Sequence, residues 1–87
     1  MAAETITVYG TRWCGDCYRA KEVLDRHHVT YKWIDMEADA AAQEVVLRLN
    51  RGMRSVPTIV FPDGSVLVEP SNEELVARIE ALHLGET

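Results

Sequence analysis

Two cysteines stand three positions apart in the stretch TRWCGDCYRAK, Thr11 to Lys21, and the chain has no other cysteine. Three chemistries fit such a pair. It can cycle between dithiol and disulfide, it can supply half of a zinc site completed by His27, His28 or His83, or it can be two inert buried thiols. A disulfide is geometrically open to it, because side chains three apart on a helix lie about 5 to 6 Å apart, near the separation a disulfide spans. With Cys14 at a helix N-cap, the unpaired N–H groups of the first turn and the positive end of the helix dipole favour its thiolate. Cys17, one turn further in, sees less of this field and is the more covered of the two. Cys14 is therefore the candidate attacker and Cys17 the candidate resolver.

The neighbours of the pair divide between helping and hindering it. Arg12, Arg19 and Lys21 either add positive potential around Cys14 or form a solvated rim. Asp16, at the second helical position, suits the helix dipole but disfavours a second negative charge on Cys14. Trp13 either shields the sulfur or offers a stacking surface. His27 and His28 end one helix and His83 lies in the last turn of another, where cationic residues are common in any case, so no metal is expected.

These residues need elements to hold them. Thr5 to Gly10 alternates β-formers and ends at a glycine, which predicts a strand running into a turn. From about Cys14 the period becomes helical, with Ala20, Val23, Leu24 and Val29 inward and Lys21, Glu22, Asp25 and Arg26 outward. Tyr31 to Asp35 reads as a second strand, with Trp33 in the core. Glu37 to Asn50 reads as a second helix with Ala41, Val45, Val46 and Leu49 on its apolar stripe, stopped by Arg51-Gly52. Thr58 to Phe61 and Val66 to Val68 form a hairpin across Pro62-Asp63-Gly64-Ser65. A last helix follows, capped by Ser71 or Asn72, with Leu75, Val76, Ile79 and Leu82 inward and Glu73 and Glu74 at its positive end. Met36, Met53 and Phe61 read as packing residues. The order βαβαββα predicts an α/β domain over residues 1–87: a mixed four-stranded sheet with helices on both faces, compatible with a thioredoxin-like fold.

Bulk properties narrow the partners. Eighty-seven residues fit one small domain, and a hydrophobic share of 47% with 26% charged residues is that of an ordinary globular protein. The net charge of -5 argues against a nucleic-acid binder, which needs a basic surface to displace counterions. Met1 to Thr5 has neither the basic start nor the apolar run of a signal peptide, and no stretch of about 18 apolar residues suits a membrane. A cytoplasmic monomer is expected, where two cysteines seldom form a permanent staple and transient chemistry is the better fit.

WCGDC near the N-terminus, Ser55-Val56-Pro57-Thr58 some forty residues on, and Phe61 to Ser65 with Glu69-Pro70-Ser71 beyond together resemble the glutaredoxin family. The resemblance runs from Thr5 to about His83 and leans toward its actinobacterial branch, the mycoredoxins. It implies a thioredoxin-like fold and thiol–disulfide exchange, with Cys14 as nucleophile and Cys17 as resolving cysteine. It also implies that Pro57 is cis and faces Cys14, and that Val56 offers its backbone to an extended substrate. Arg12, Trp13 and Asp16 then flank the bound substrate. Glutathione-using members carry a Gly-Gly pair and then Asp-Asp before the last helix. Here the same place reads Glu69-Pro70-Ser71-Asn72-Glu73, where proline removes a donor and glutamate adds a repelling charge. Mycoredoxins typically have Asn-Pro-Ser there and use mycothiol, a sugar-based thiol. Ser71 and Asn72 can hydrogen-bond a sugar or cap the helix.

The resemblance thus implies no bound cofactor, mycothiol as co-substrate, and thiolated proteins as partners. Two other functions share the motif. One is a redoxin reduced by thioredoxin reductase, whose usual Ser-Gly-Phe-Arg-Pro is missing here. The other is a module that binds an iron–sulfur cluster, where a single cysteine in CGFS is usual and visible colour in the purified protein would give it away.

Overall fold

A computed structural model describes residues 5–85. Residues 1–4, the start of the stretch read above for a targeting segment, and residues 86–87 lie outside the described residues. Seven elements follow one another: β1 (Ile6–Gly10), α1 (Gly15–Arg26), β2 (Tyr31–Asp35), α2 (Ala40–Leu49), β3 (Thr58–Val60), β4 (Val66–Val68) and α3 (Asn72–Ala81). The expected order is present.

The sheet runs β2-β1-β3-β4. β1 and β2 are parallel, with Val8 opposite Trp33, and α1 is the crossover between them. β1 meets β3 antiparallel, with Val8 opposite Ile59, and β3 turns back antiparallel into β4. The hairpin closes at Gly64, whose φ of 91° only glycine adopts cheaply. Asp63 secures the same turn by accepting from the Ser65 amide and hydroxyl, which holds its carboxyl below the usual range.

Alternation along β1 sorts the core into two layers. Ile6 and Val8 face the side where α1 and α3 pack, and with Ala20, Leu24, Ile59, Leu75 and Ile79 they form the larger cluster. Tyr9 faces the other side, where Met36, Ala42 and Val46 make a smaller cluster with Ile34 and Val56. Helices therefore cover both faces of the sheet.

Three expectations change at residue level. α2 begins at Ala40, because Asp39 takes the N-cap by accepting from the Ala42 amide, while Asp35 holds the preceding turn through the Glu37 amide. Its buried stripe is Ala42 and Val46, so Ala41 points out and Leu49 is 42% exposed. Met53 is 62% exposed rather than packed, whereas Met36 and Phe61 are buried.

Candidate active site

The β1–α1 junction carries the cysteine pair. Cys14 is the N-cap of α1 in extended conformation, and its Sγ accepts the Cys17 backbone N–H at 3.0 Å. This is the bond an N-cap oxygen ordinarily makes, here made by sulfur and strongest when the sulfur carries charge. Cys14 is partly exposed and Cys17 is fully buried, both as free thiols. Burial, reinforced by the hydrogen bond to the Cys14 sulfur, pushes the Cys17 thiol from 9.0 up to about 12. A backbone hydrogen bond with Thr11 opposes the shift without cancelling it. The pair is thus asymmetric: one sulfur is open to solvent at a helix start, and the other is held protonated behind it.

Beside Cys14 lies a cleft of about 390 Å³, within the size range of small-molecule sites. Trp13 forms one side and is 71% exposed, Val56 and Met36 supply an apolar surface, and Thr11, Glu37 and Arg54 add polar groups. The Val56–Pro57 peptide is cis, and Pro57 is buried. Its carbonyl accepts from the Glu69 amide at 2.9 Å, which brings the segment before α3 against the turn before β3.

Of the residues singled out by sequence, Trp13, Cys14 and Val56 line this cleft, with Cys17 behind Cys14. Arg12, Asp16, Ser71 and Asn72 are exposed and do not line it. Arg12 accepts the Tyr18 hydroxyl on its carbonyl. Arg19 forks between Asp16 at 3.1 Å and the Asn72 side-chain oxygen at 2.6 Å, tying the first turn of α1 to the first turn of α3. Asp16 therefore carries its own counter-charge. Ser71 is the N-cap of α3, in a reciprocal capping box with Glu74. The Lys21 ammonium sits 4.0 Å from the centre of the Trp33 ring and 5.1 Å from that of Tyr18. His27, His28 and His83 finish α1 and α3, and among the described residues no cluster of three or more His, Cys, Asp or Glu is placed to hold a metal ion.

Sequence reading missed Thr11, Met36, Glu37 and Arg54 as cleft residues, Met36 having been assigned to packing alone. Arg54 stands two places before Val56 and could have been found from that neighbourhood. Glu37 gave no signal, since a lone glutamate after a strand reads as surface.

Comparison with known proteins agrees with this geometry. The glutaredoxin family model matches residues 6–67. A protein named as a glutaredoxin in Mycobacterium tuberculosis is 42% identical over 79 residues, covering 91% of this chain and 94% of the relative. Mycoredoxin 1 of Corynebacterium glutamicum is 39% identical over 77 residues, covering 88% and 95%. Among solved structures, the thioredoxin-like protein BC3987 superposes with a TM-score of 0.74 at 35% identity, covering 83% of this chain and 96% of the other. No helix among the described residues is long and apolar enough to cross a membrane.

Proposed function

Since the chain belongs to the glutaredoxin family and is a homologue of mycoredoxin 1, we propose that it reduces mixed disulfides between a low-molecular-weight thiol, mycothiol, and proteins. The observation that carries this reading is the asymmetry of the pair: Cys14 partly exposed at the N-cap beside an open cleft, Cys17 buried one turn behind it. In the first step the Cys14 thiolate attacks the small thiol's sulfur in the mixed disulfide. The protein thiolate leaves and takes a proton from water, and Cys14 now carries the small thiol. Two exits follow. A second small thiolate attacks the one carried by Cys14, giving the symmetric small disulfide and free Cys14. Alternatively Cys17 gives its proton to solvent and attacks the Cys14 sulfur, expelling the small thiolate and leaving a Cys14–Cys17 disulfide for later reduction.

Mycothiol is favoured over glutathione by the sequence before α3, where Glu69 and Pro70 replace the donors of a glutathione clasp. Ser71 spends its hydroxyl on the helix cap, so sugar recognition falls to the cleft beside Trp13. On this reading the protein works without a bound cofactor, and its partners are the small thiol and thiolated proteins, met in the cytoplasm by a monomer.

Intact mass of Cys17→Ser after separate exposure to oxidised mycothiol and oxidised glutathione tests the proposal, with Cys14→Ser as control. A mycothiol adduct that forms much faster than the glutathione one, and only when Cys14 is present, is expected. Equal, slow reaction with both would favour a second reading, a redoxin reduced by thioredoxin reductase. The likeness to the thioredoxin-like BC3987 is the observation behind that alternative.

A further inference from the structure

The resolving sulfur has a seat, and the seat is made of residues that no part of the exchange chemistry uses. A Cβ placed on Gly10 would lie 2.6 Å from the Cys17 sulfur and 2.6 and 2.8 Å from two atoms on the edge of the Trp33 ring. The space a side chain would fill at position 10 is thus taken by the sulfur and by the edge of the indole. None of the three partners is loose. Gly10 is fixed in the sheet opposite Asp35, and its carbonyl accepts the Met36 amide at 2.9 Å. Trp33 is in β2, packed against the larger core, and the Lys21 ammonium lies over its ring at 4.0 Å. That distance is within reach of a cation–π attraction. Lys21 is one turn of α1 beyond Cys17, so the same helix that carries the sulfur also pins the indole.

We propose that Gly10 and Trp33, with Lys21 holding the indole, are positioning residues that fix the Cys17 sulfur for its attack on Cys14 and so decide how the mixed disulfide is resolved. The inference rests on the dithiol exit described above and deepens it. A sulfur that must strike another in line gains speed from being held: a displacement of about 1 Å can cost up to a hundredfold. A seat that is too roomy lets the sulfur wander, and an obstruction at position 10 displaces it. In both cases closure by Cys17 slows and the carried thiol stays on Cys14 for a second thiol molecule to remove. The attack by Cys14 itself lies on the open side of the pair and does not depend on the seat. The burial that raises the Cys17 pKa is a second consequence of the same enclosure.

Ellman's disulfide, 5,5′-dithiobis(2-nitrobenzoate), at one equivalent reads both steps in the full chain without any biological thiol. Attack by Cys14 releases one coloured thiolate and leaves its twin on Cys14. Attack by Cys17 on the Cys14 sulfur then releases the second thiolate as the disulfide closes, with the Cys17 proton going to solvent. Trp33→Leu and Gly10→Ala are expected to leave the first release within about twofold of wild type and to slow the second by about tenfold or more. Lys21→Met is expected to slow the second release less, with Lys21→Arg restoring it, and Trp33→Phe is expected to fall between wild type and Trp33→Leu. A second release unchanged in both Gly10→Ala and Lys21→Met would overturn the seat even if Trp33→Leu failed to fold. Equal slowing of both releases would also overturn it, because that is the mark of a general structural defect. If the wild type released only one equivalent, the dithiol exit itself would fall, and the seat with it; adduct formation with mycothiol would be untouched by that result.

Discussion

Cys17 links stability to pH. Its thiol ionises near 9.0 when unfolded and near 12 in the folded dithiol. Between those values the unfolded chain holds fewer protons than the folded one, so stability is fully present below about 9 and falls as pH rises towards 12. Urea midpoints of the reduced protein are expected to drop across that window, and to drop less in Cys17→Ala. Tyr31, raised first by burial and then by Asp25, contributes a slope of the same sign, but equally to both proteins, so the difference isolates Cys17. At this scale the sequence was informative where chemistry is local. The N-cap placement of Cys14 and the burial of Cys17 follow from three residues' spacing and a helix start. Glu37 was not legible and Arg54 only through its nearness to Val56, because the cleft they share with Cys14 exists only after distant turns meet. The partners that Arg19 and Lys21 find across the fold, Asn72 and Trp33, were not legible either, because only the packed elements bring them together.

The helices owe much to their ends. Each has a residue of left-handed backbone just past its C-cap, and none of the three is glycine: His28 at φ 57°, Arg51 at 54° and His83 at 55°. After α1 the Val29 amide reaches the Leu24 carbonyl and the His28 amide reaches Asp25, the two bonds of a Schellman motif; Leu84 and His83 repeat them after α3. An L side chain pays for that conformation, so His28→Gly is expected to raise stability by roughly 0.5 to 1 kcal/mol, read by chemical denaturation. At the other end of α3, Ser71→Ala removes one arm of the capping box and is expected to cost about 1 kcal/mol. The same variant is expected to keep its adduct rate with oxidised mycothiol; a loss in rate that exceeded the loss in stability would return Ser71 to sugar binding. The starts of α1 and α3, with their strong apolar period, were legible, whereas Val29 and Leu82, read into their stripes, lie just past their ends at Arg26 and Ala81. α2 was not, because its run of alanines at 40–42 carries little periodic signal, and the competing capping groups Asp35 and Asp39 decide where the helix starts.

The two core layers divide the work of the whole molecule. Leu24→Ala opens the larger layer between the sheet and α1 and α3, where Leu24 is fully buried, and is expected to cost about 3 kcal/mol. Met36 belongs to the smaller layer and also lines the cleft. Met36→Ala is therefore expected to lose about 2 kcal/mol or more of stability and to weaken adduct formation at Cys14, whereas Met36→Leu, which conserves volume, spares both. Strand order has a consequence in time. Gly10, Cys17, Lys21 and Trp33 all precede residue 36, and β1 meets β2 across a single helix. The cleft's far wall at Val56 is placed through the pairing of β1 with β3, which joins Val8 to Ile59, about fifty residues later. As the chain leaves the ribosome, the residues that enclose the Cys17 sulfur and the near side of the cleft at Thr11 and Trp13 all precede Arg54 and Val56 on its far side. A chain cut short before Arg54 therefore holds both cysteines and only the near side of the cleft.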